Sequence, residues 1–239
     1  MARPFLTARW TDLILAQYAV DDDLLIPRLA PGLELDRFQG RAFVSLVAFN
    51  FRETRVRGVR WPLHVNFPEV NLRFYVREMD TNRRGVMFVR EWVPRRAIAW
   101  IARALYNEPY SVARMRATRT ETPGRVEVVH SWRARGAEGL VRAVARGSTH
   151  LPEPGTLEHW FKEHEWGYGV TRARSGRVSR RLTYRVEHPV WHVYDDATVS
   201  VNVDFASLYG QQWGDLTGRA PDSTVFAVGS EVTVSPLVV

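Results

Sequence analysis

The 239-residue chain has no cysteine and a single lysine. Without thiols there are no disulfides, thiolate catalysis, zinc–cysteine sites or iron–sulfur clusters. Of the 33 Lys and Arg residues only Lys162 carries an amine. A guanidinium stays protonated and is no amine nucleophile, so arginine cannot take over lysine chemistry. No apolar run approaches the roughly 18 residues of a membrane span. The opening MARPFLTARWTDLIL lacks an apolar core followed by a small-residue cleavage site. We therefore expect a cytoplasmic protein with no membrane partner. Linkers, repeats and low-complexity segments are missing, as are a Gly-x-Ser-x-Gly elbow, a phosphate loop and a dinucleotide fingerprint.

What is present is ordinary for a globular chain, with 45% hydrophobic and 25% charged residues. The length suits one domain over 1–239, able to bury a sizeable core unaided. A net charge of +7 attracts phosphates, nucleic acids and anionic surfaces. The arginines, however, are spread along the chain instead of forming one stripe or tail. The densest runs, Arg52–Arg60 and Arg172–Arg181, flank glycines and read as loop or edge charges. Nucleic acid is thus an alternative partner, ranked below a small molecule.

Strand patterns dominate. We expect strands at Trp10–Val20, Leu33–Phe38 and Arg41–Thr54, with a short helix capped by Asp21-Asp22-Asp23 between the first two. Along Glu69–Arg77, Glu69, Asn71, Arg73, Tyr75 and Arg77 share one face and Val70, Leu72, Phe74 and Val76 the other. The polar face is either solvated or lines a lumen; periodicity leaves both open. Val86–Trp92 is its partner strand, and Arg95–Tyr106 has Ile98, Ala102 and Leu105 at helical spacing. Tyr110–Thr120 and Arg125–Arg135 make a hairpin around Pro123-Gly124. Thr156–His164 is a helix capped by Thr156, with Glu158 and Lys162 at i,i+4 as a solvated pair. Further strands are expected at Gly167–Arg174, Arg177–Glu187, Trp191–Tyr194, Ala197–Asp204 and Thr224–Val234, with a helical turn at Phe205–Tyr209. The sum is a mainly β, barrel-like α+β domain.

Two histidine groups, His188/His192 in HPVWH and His159/Glu163/His164, fall short of the three converging ligands of a metal site and read as structural. Neither metal nor cofactor is expected.

Several stretches resemble the acetoacetate decarboxylase superfamily: Leu24–Phe49, Phe67-Pro68-Glu69 and, most closely, Ala97–Ala113 (AIAWIARALYNEPYSVA). End to end, the phrases FLTARWTDLIL, NFPEVNLRFYVRE, REWVPRRAIA, ARALYNEPY, EHEWGYG and VEHPVWHVY resemble an uncharacterised YqjF-like bacterial branch of it. The resemblance implies a cone-like double-stranded β-barrel with a few short helices around a pocket. It places a catalytic acid at Glu69 and a substrate-binding arginine at Arg9. Tyr110 stands where the superfamily has its Schiff-base lysine, and Ser111 where it has the lysine that depresses that pKa. The superfamily's other buried glutamate falls near Val44 or Ser45, neither of them an acid. Without a desolvated amine the electron sink for decarboxylation is lost. The expectation is a pocket for a small anionic acid. In it Glu69 and Tyr110 are catalytic, Arg9, Arg73, Tyr75 and Ser111 bind substrate, and lysine-independent lyase, isomerase or hydrolase chemistry follows. A non-catalytic sensor or carrier, and homo-oligomerisation, stay open.

Overall fold

The structure is a computed structural model describing residues 3–105, 107–171 and 179–238, with 101–105 described by backbone alone. In chain order the strands are β1 (Leu6–Val20), β2 (Leu33–Leu35), β3 (Ala42–Val56), β4 (Phe67–Glu78), β5 (Arg84–Val93), β6 (Tyr110–Val112), β7 (Arg114–Thr122) and β8 (Arg125–Ala134). They continue with β9 (Ala137–Ala145), β10 (Thr149–His150), β11 (Trp166–Val170), β12 (Arg181–Glu187), β13 (Val193–Tyr194), β14 (Thr198–Val203) and β15 (Ser223–Val234). The helices are α1 (Arg96–Leu105), α2 (Leu157–Lys162) and α3 (Phe205–Tyr209).

The chain builds a mixed α+β fold from two sheets. In the larger sheet the pairing runs β1–β3–β4–β5–β11–β12–β15 and then returns from β15 to β1. This circuit is antiparallel except at β5–β11. The smaller sheet runs β14–β9–β8–β7. The main core lies between the sheets. Val44, Leu46 and Ala48 of β3 and Val70, Leu72, Phe74 and Val76 of β4 meet Val128, Trp132, Val141 and Ala143 of the small sheet, with α3 alongside. The opposite face of β3 and β4 joins a second cluster with Leu13, Leu15, Phe49, Phe51 and Phe67.

Most expected elements form within a few residues of their expected bounds; two elements, one unassigned stretch and one ion pair differ. Asp21–Leu29 makes two 3-10 turns with no side-chain cap at Asp21. The strand expected at Tyr110–Thr120 breaks at Ala113: β6 pairs with β5 in the large sheet, while β7 belongs to the small one. The crossing leaves Tyr110 in the large sheet, paired with Glu91 of β5. Residues 136–155, for which the pattern suggests no element, supply β9 and β10. Lys162 pairs with Glu165 at 3.7 Å, its side chain only 17% exposed, while Glu158 faces His150. The expected strand ends at 172–174 and 177–178, and Tyr106, lie outside the described residues.

Candidate functional site

Residues of β1, β3, β4, β5 and β12, with α1 and the neighbouring loops, line a cavity of about 420 Å³. Alternation along β4 sends Phe67, Glu69, Asn71 and Arg73 into it, and β3 contributes Phe51, Phe49 and Val47. Two irregularities then break the two-residue period. In β1, Asp12 sits at φ 58 and the register to β3 shifts, so Trp10 and Leu13, three apart, both face the cavity. In β5 the pairing jumps from Leu72↔Arg90 to Arg73↔Phe88, leaving Val89 as the extra residue of a bulge. Phe88 and Glu91 therefore both point inward, and Glu91 lies opposite Asn71.

Glu69 is 2% exposed. Its Oε1 accepts from Asn71 Nδ2 at 3.0 Å, and its Oε2 accepts from the Tyr110 hydroxyl at 3.0 Å. Burial raises its pKa to about 7, outweighing the opposite pull of those two bonds and of the Arg73 charge. Glu91 is pushed well above the carboxylate range by burial and by repulsion from Glu108 and Glu69. Glu108, just before β6, is raised to about 8 by burial, although the Tyr184 hydroxyl donates to it at 2.8 Å. Tyr110 and Tyr184 are raised by burial beside these acids and remain neutral donors. Arg73 supplies the positive charge of the lining, and its Nε has no hydrogen-bond partner among the described residues. The same holds for Trp10 Nε1, Asn71 Oδ1 and Glu91 Oε2.

The remaining wall is apolar and aromatic. Trp10 packs on Phe49 at 5.2 Å, Phe51 stacks on Phe67 at 4.8 Å, and His188 stacks on Trp191 at 4.5 Å. Burial lowers His188 to about 4, so it is neutral at pH 7. His164 also borders the cavity; its Nδ1 donates to the Trp160 carbonyl at 2.9 Å and its Nε2 meets Asp36 at 3.0 Å. Among the described residues no three metal-ligating side chains converge.

The structure brings Glu69, Tyr110 and Arg73 together and leaves three expected residues out. Arg9 is exposed: Ala8 and Trp10 turn inward, so alternation sends Arg9 to solvent, and it cannot anchor a ligand in this cavity. Tyr75 lies beyond the lining, under α2, bonded to Ser45 Oγ at 2.6 Å and packed on Trp160, Phe161 and His164. Ser111 follows Tyr110 on a strand and so points away from the cavity. Sequence reasoning missed Glu91, Glu108 and Tyr184. Strict alternation puts Glu91 on the face of Met87 and Val89, and only the bulge reverses it. For Glu108 the available signal was an acid between Asn107 and Pro109, two residues before Tyr110.

The model of the DUF2071 family, described as an uncharacterized conserved protein, matches residues 7–231. The uncharacterized protein YqjF of Bacillus subtilis is 28% identical over 198 residues, covering 81% of this chain and 77% of that one. Among solved structures, acetoacetate decarboxylase from Legionella pneumophila superposes with a TM-score of 0.69 at 12% identity, over 100% of this chain and 88% of that one. The enduracididine biosynthesis enzyme MppR, complexed with the condensation product of pyruvate and imidazole 4-carboxaldehyde, superposes with 0.68 at 16% identity, over 100% and 90%. With the family match spanning nearly the whole chain and the superpositions covering all of it, the protein belongs to the DUF2071/YqjF-like family and has the acetoacetate decarboxylase-like fold.

Proposed function

We propose that the circuit of strands is the cone-like β-barrel of this fold, and that its cavity binds a small carboxylic or keto acid and moves a proton on it without lysine. One observation carries the reading. Glu69, with a pKa of about 7, is buried at the polar end, bonded to a neutral tyrosine and on the same strand face as Arg73. A general base poised near the working pH is the efficient one. Arg73 takes the carboxylate in a two-pronged contact. Glu69 removes a proton from the carbon beside the carbonyl. The electron pair moves to the carbonyl oxygen, where the Tyr110 hydroxyl, released from Glu69, donates a hydrogen bond. Passage of the proton to that oxygen completes an enolisation, and its return to carbon instead gives exchange of the C–H hydrogen. An imine route has no support, because Lys162 sits beside Glu165 outside the cavity lining. That a neighbour of the same fold is complexed with pyruvate supports a keto acid as ligand.

Deuterium exchange at the methyl of pyruvate, or at C2 of acetoacetate, tests this by NMR, with calorimetry for binding. We expect exchange in the native protein and a loss of about 10²–10⁴-fold in Glu69→Gln with binding retained. Exchange unchanged in Glu69→Gln would rule out the base. Borohydride trapping of a keto acid on Lys162 would overturn the lysine-free route. A second reading, a non-catalytic carrier, is favoured by the engagement of both Glu69 oxygens by Asn71 and Tyr110; it predicts binding with no exchange. The arginines of many surface positions are already paired with acids, among them Arg37–Asp22, Arg41–Asp222 and Arg125–Glu127, which leaves nucleic acid the weaker alternative.

A further inference from the structure

The geometry points to a carboxylic or keto acid with an extended apolar tail as the preferred ligand of this cavity, ahead of the shortest keto acids. The inference rests on the proposed acid-binding role and deepens it. The inward residues of β4 stand in the order Phe67, Glu69, Asn71, Arg73, with Glu91 opposite Asn71. Alternate residues on a strand are separated by roughly 6.6 Å, so Phe67 and Arg73 lie about 20 Å apart along the backbone. The Arg73 guanidinium leans over the Tyr75 ring at 5.8 Å, toward the far end of the strand. A short keto acid held there reaches the carboxyls at mid-strand and stops.

Beyond the carboxyls the lining changes character. Phe67 stacks on Phe51, its register partner, and Phe51 is in turn paired across β1 with Trp10. Past them, Trp61 and Trp100 border the same cavity while 56% and 71% exposed, so the apolar end is the one that opens outward. A short polar substrate has no use for this wall, whereas a tail laid along it is removed from water. Each buried methylene contributes about 0.8 kcal/mol, or about fourfold in affinity.

The test is a chain-length series on the intact protein, by calorimetry: pyruvate, 2-oxobutanoate, 2-oxohexanoate, 2-oxooctanoate and phenylpyruvate. Affinity is expected to climb by about fourfold per methylene until the tail passes Trp10. Phenylpyruvate should exceed pyruvate by at least a hundredfold. Trp10→Phe and Phe67→Leu should weaken the long acids by a larger factor than pyruvate, and Arg73→Gln should weaken every member by a similar factor. A flat series, with pyruvate as tight as 2-oxooctanoate, overturns the extended-tail proposal and leaves the acid-binding role intact. Binding of octanol and 2-oxooctanoate alike, indifferent to Arg73→Gln, overturns the acid-binding role itself. Binding of no member overturns both. The series on the native protein decides the question even if a variant does not fold.

Discussion

The three acids of the cavity make opposite demands on folding and on chemistry. Glu69 and Glu108 hold their protons to about 7 and about 8, against an ordinary 4.5. Between those limits the folded chain binds more protons than the unfolded one, so stability falls as pH rises through the window and levels off above it. The melting temperature is expected to drop between pH about 5 and about 8, against the usual gain of paired surface carboxylates. Glu69→Gln should remove its part of the fall, on the order of 3 kcal/mol above the window and nothing below it, measured by denaturant melts at both ends. A fall of equal size in Glu69→Gln would show that the burden lies elsewhere. An anion placed at Arg73 raises Glu69 further. Acid binding should therefore take up a proton and weaken as pH climbs past about 7, which calorimetry in buffers of different ionisation enthalpy reads directly.

At the scale of elements, the site depends on where regular structure is broken. The β5 bulge at Val89 and the irregularity of β1 at Asp12 change strand parity, and the break at Ala113 leaves Tyr110 beside Glu91 of β5. A close approach adds to this. A Cβ on Gly167 would meet the Tyr184 ring at 2.1 Å, and Tyr184 is the donor to Glu108. Gly167→Ala is expected to cost about 1–3 kcal/mol through forced displacement of that ring, and to weaken ligand binding as Glu108 loses its partner. An unchanged melting curve would show that the β11–β12 pair yields freely. The elements themselves were largely legible. Pro123-Gly124 reads as a turn, and Gly124 adopts φ 74 between β7 and β8. Thr156 reads as a cap, and its hydroxyl accepts from the His159 amide at 3.3 Å. β9 was not legible. Its inward Gly139, Val141, Ala143 and Ala145 are mostly small residues, and Leu140 and Val144 on the outer face blur the alternation.

Across the whole molecule, the two sheets are joined by more than apolar contact. Asp12, displaced inward by the β1 irregularity, takes Arg119 of the small sheet at 2.6 Å and Asn50 of β3 at 3.0 Å. Arg119→Met leaves a carboxylate 5% exposed without its cation. We expect a loss of about 1–3 kcal/mol in chemical denaturation, and no loss would mean Asn50 and Thr11 suffice. The net charge of +7 is carried by arginines dispersed over the fold, many facing acids. Retention on duplex DNA should therefore be weak and vanish at moderate salt; a steep salt slope in fluorescence anisotropy would favour the nucleic-acid alternative.

The sequence by itself determined which residues could do chemistry and which could not. No thiol is available, the one lysine lies in a short helix, and the strand Glu69–Arg77 carries Glu69 and Arg73 on one alternating face. These are local properties, set by residue identity and a two-residue period. The tertiary structure alone decided that this face looks into a cavity and that Arg9 looks away from it. It also decided that Glu69, Glu91 and Glu108 are buried together, so that burial raises all three carboxyls and the Glu69 charge raises the other two further. The physical reason is that side-chain direction past a bulge, and the desolvation that shifts a pKa, both depend on strands distant in the chain.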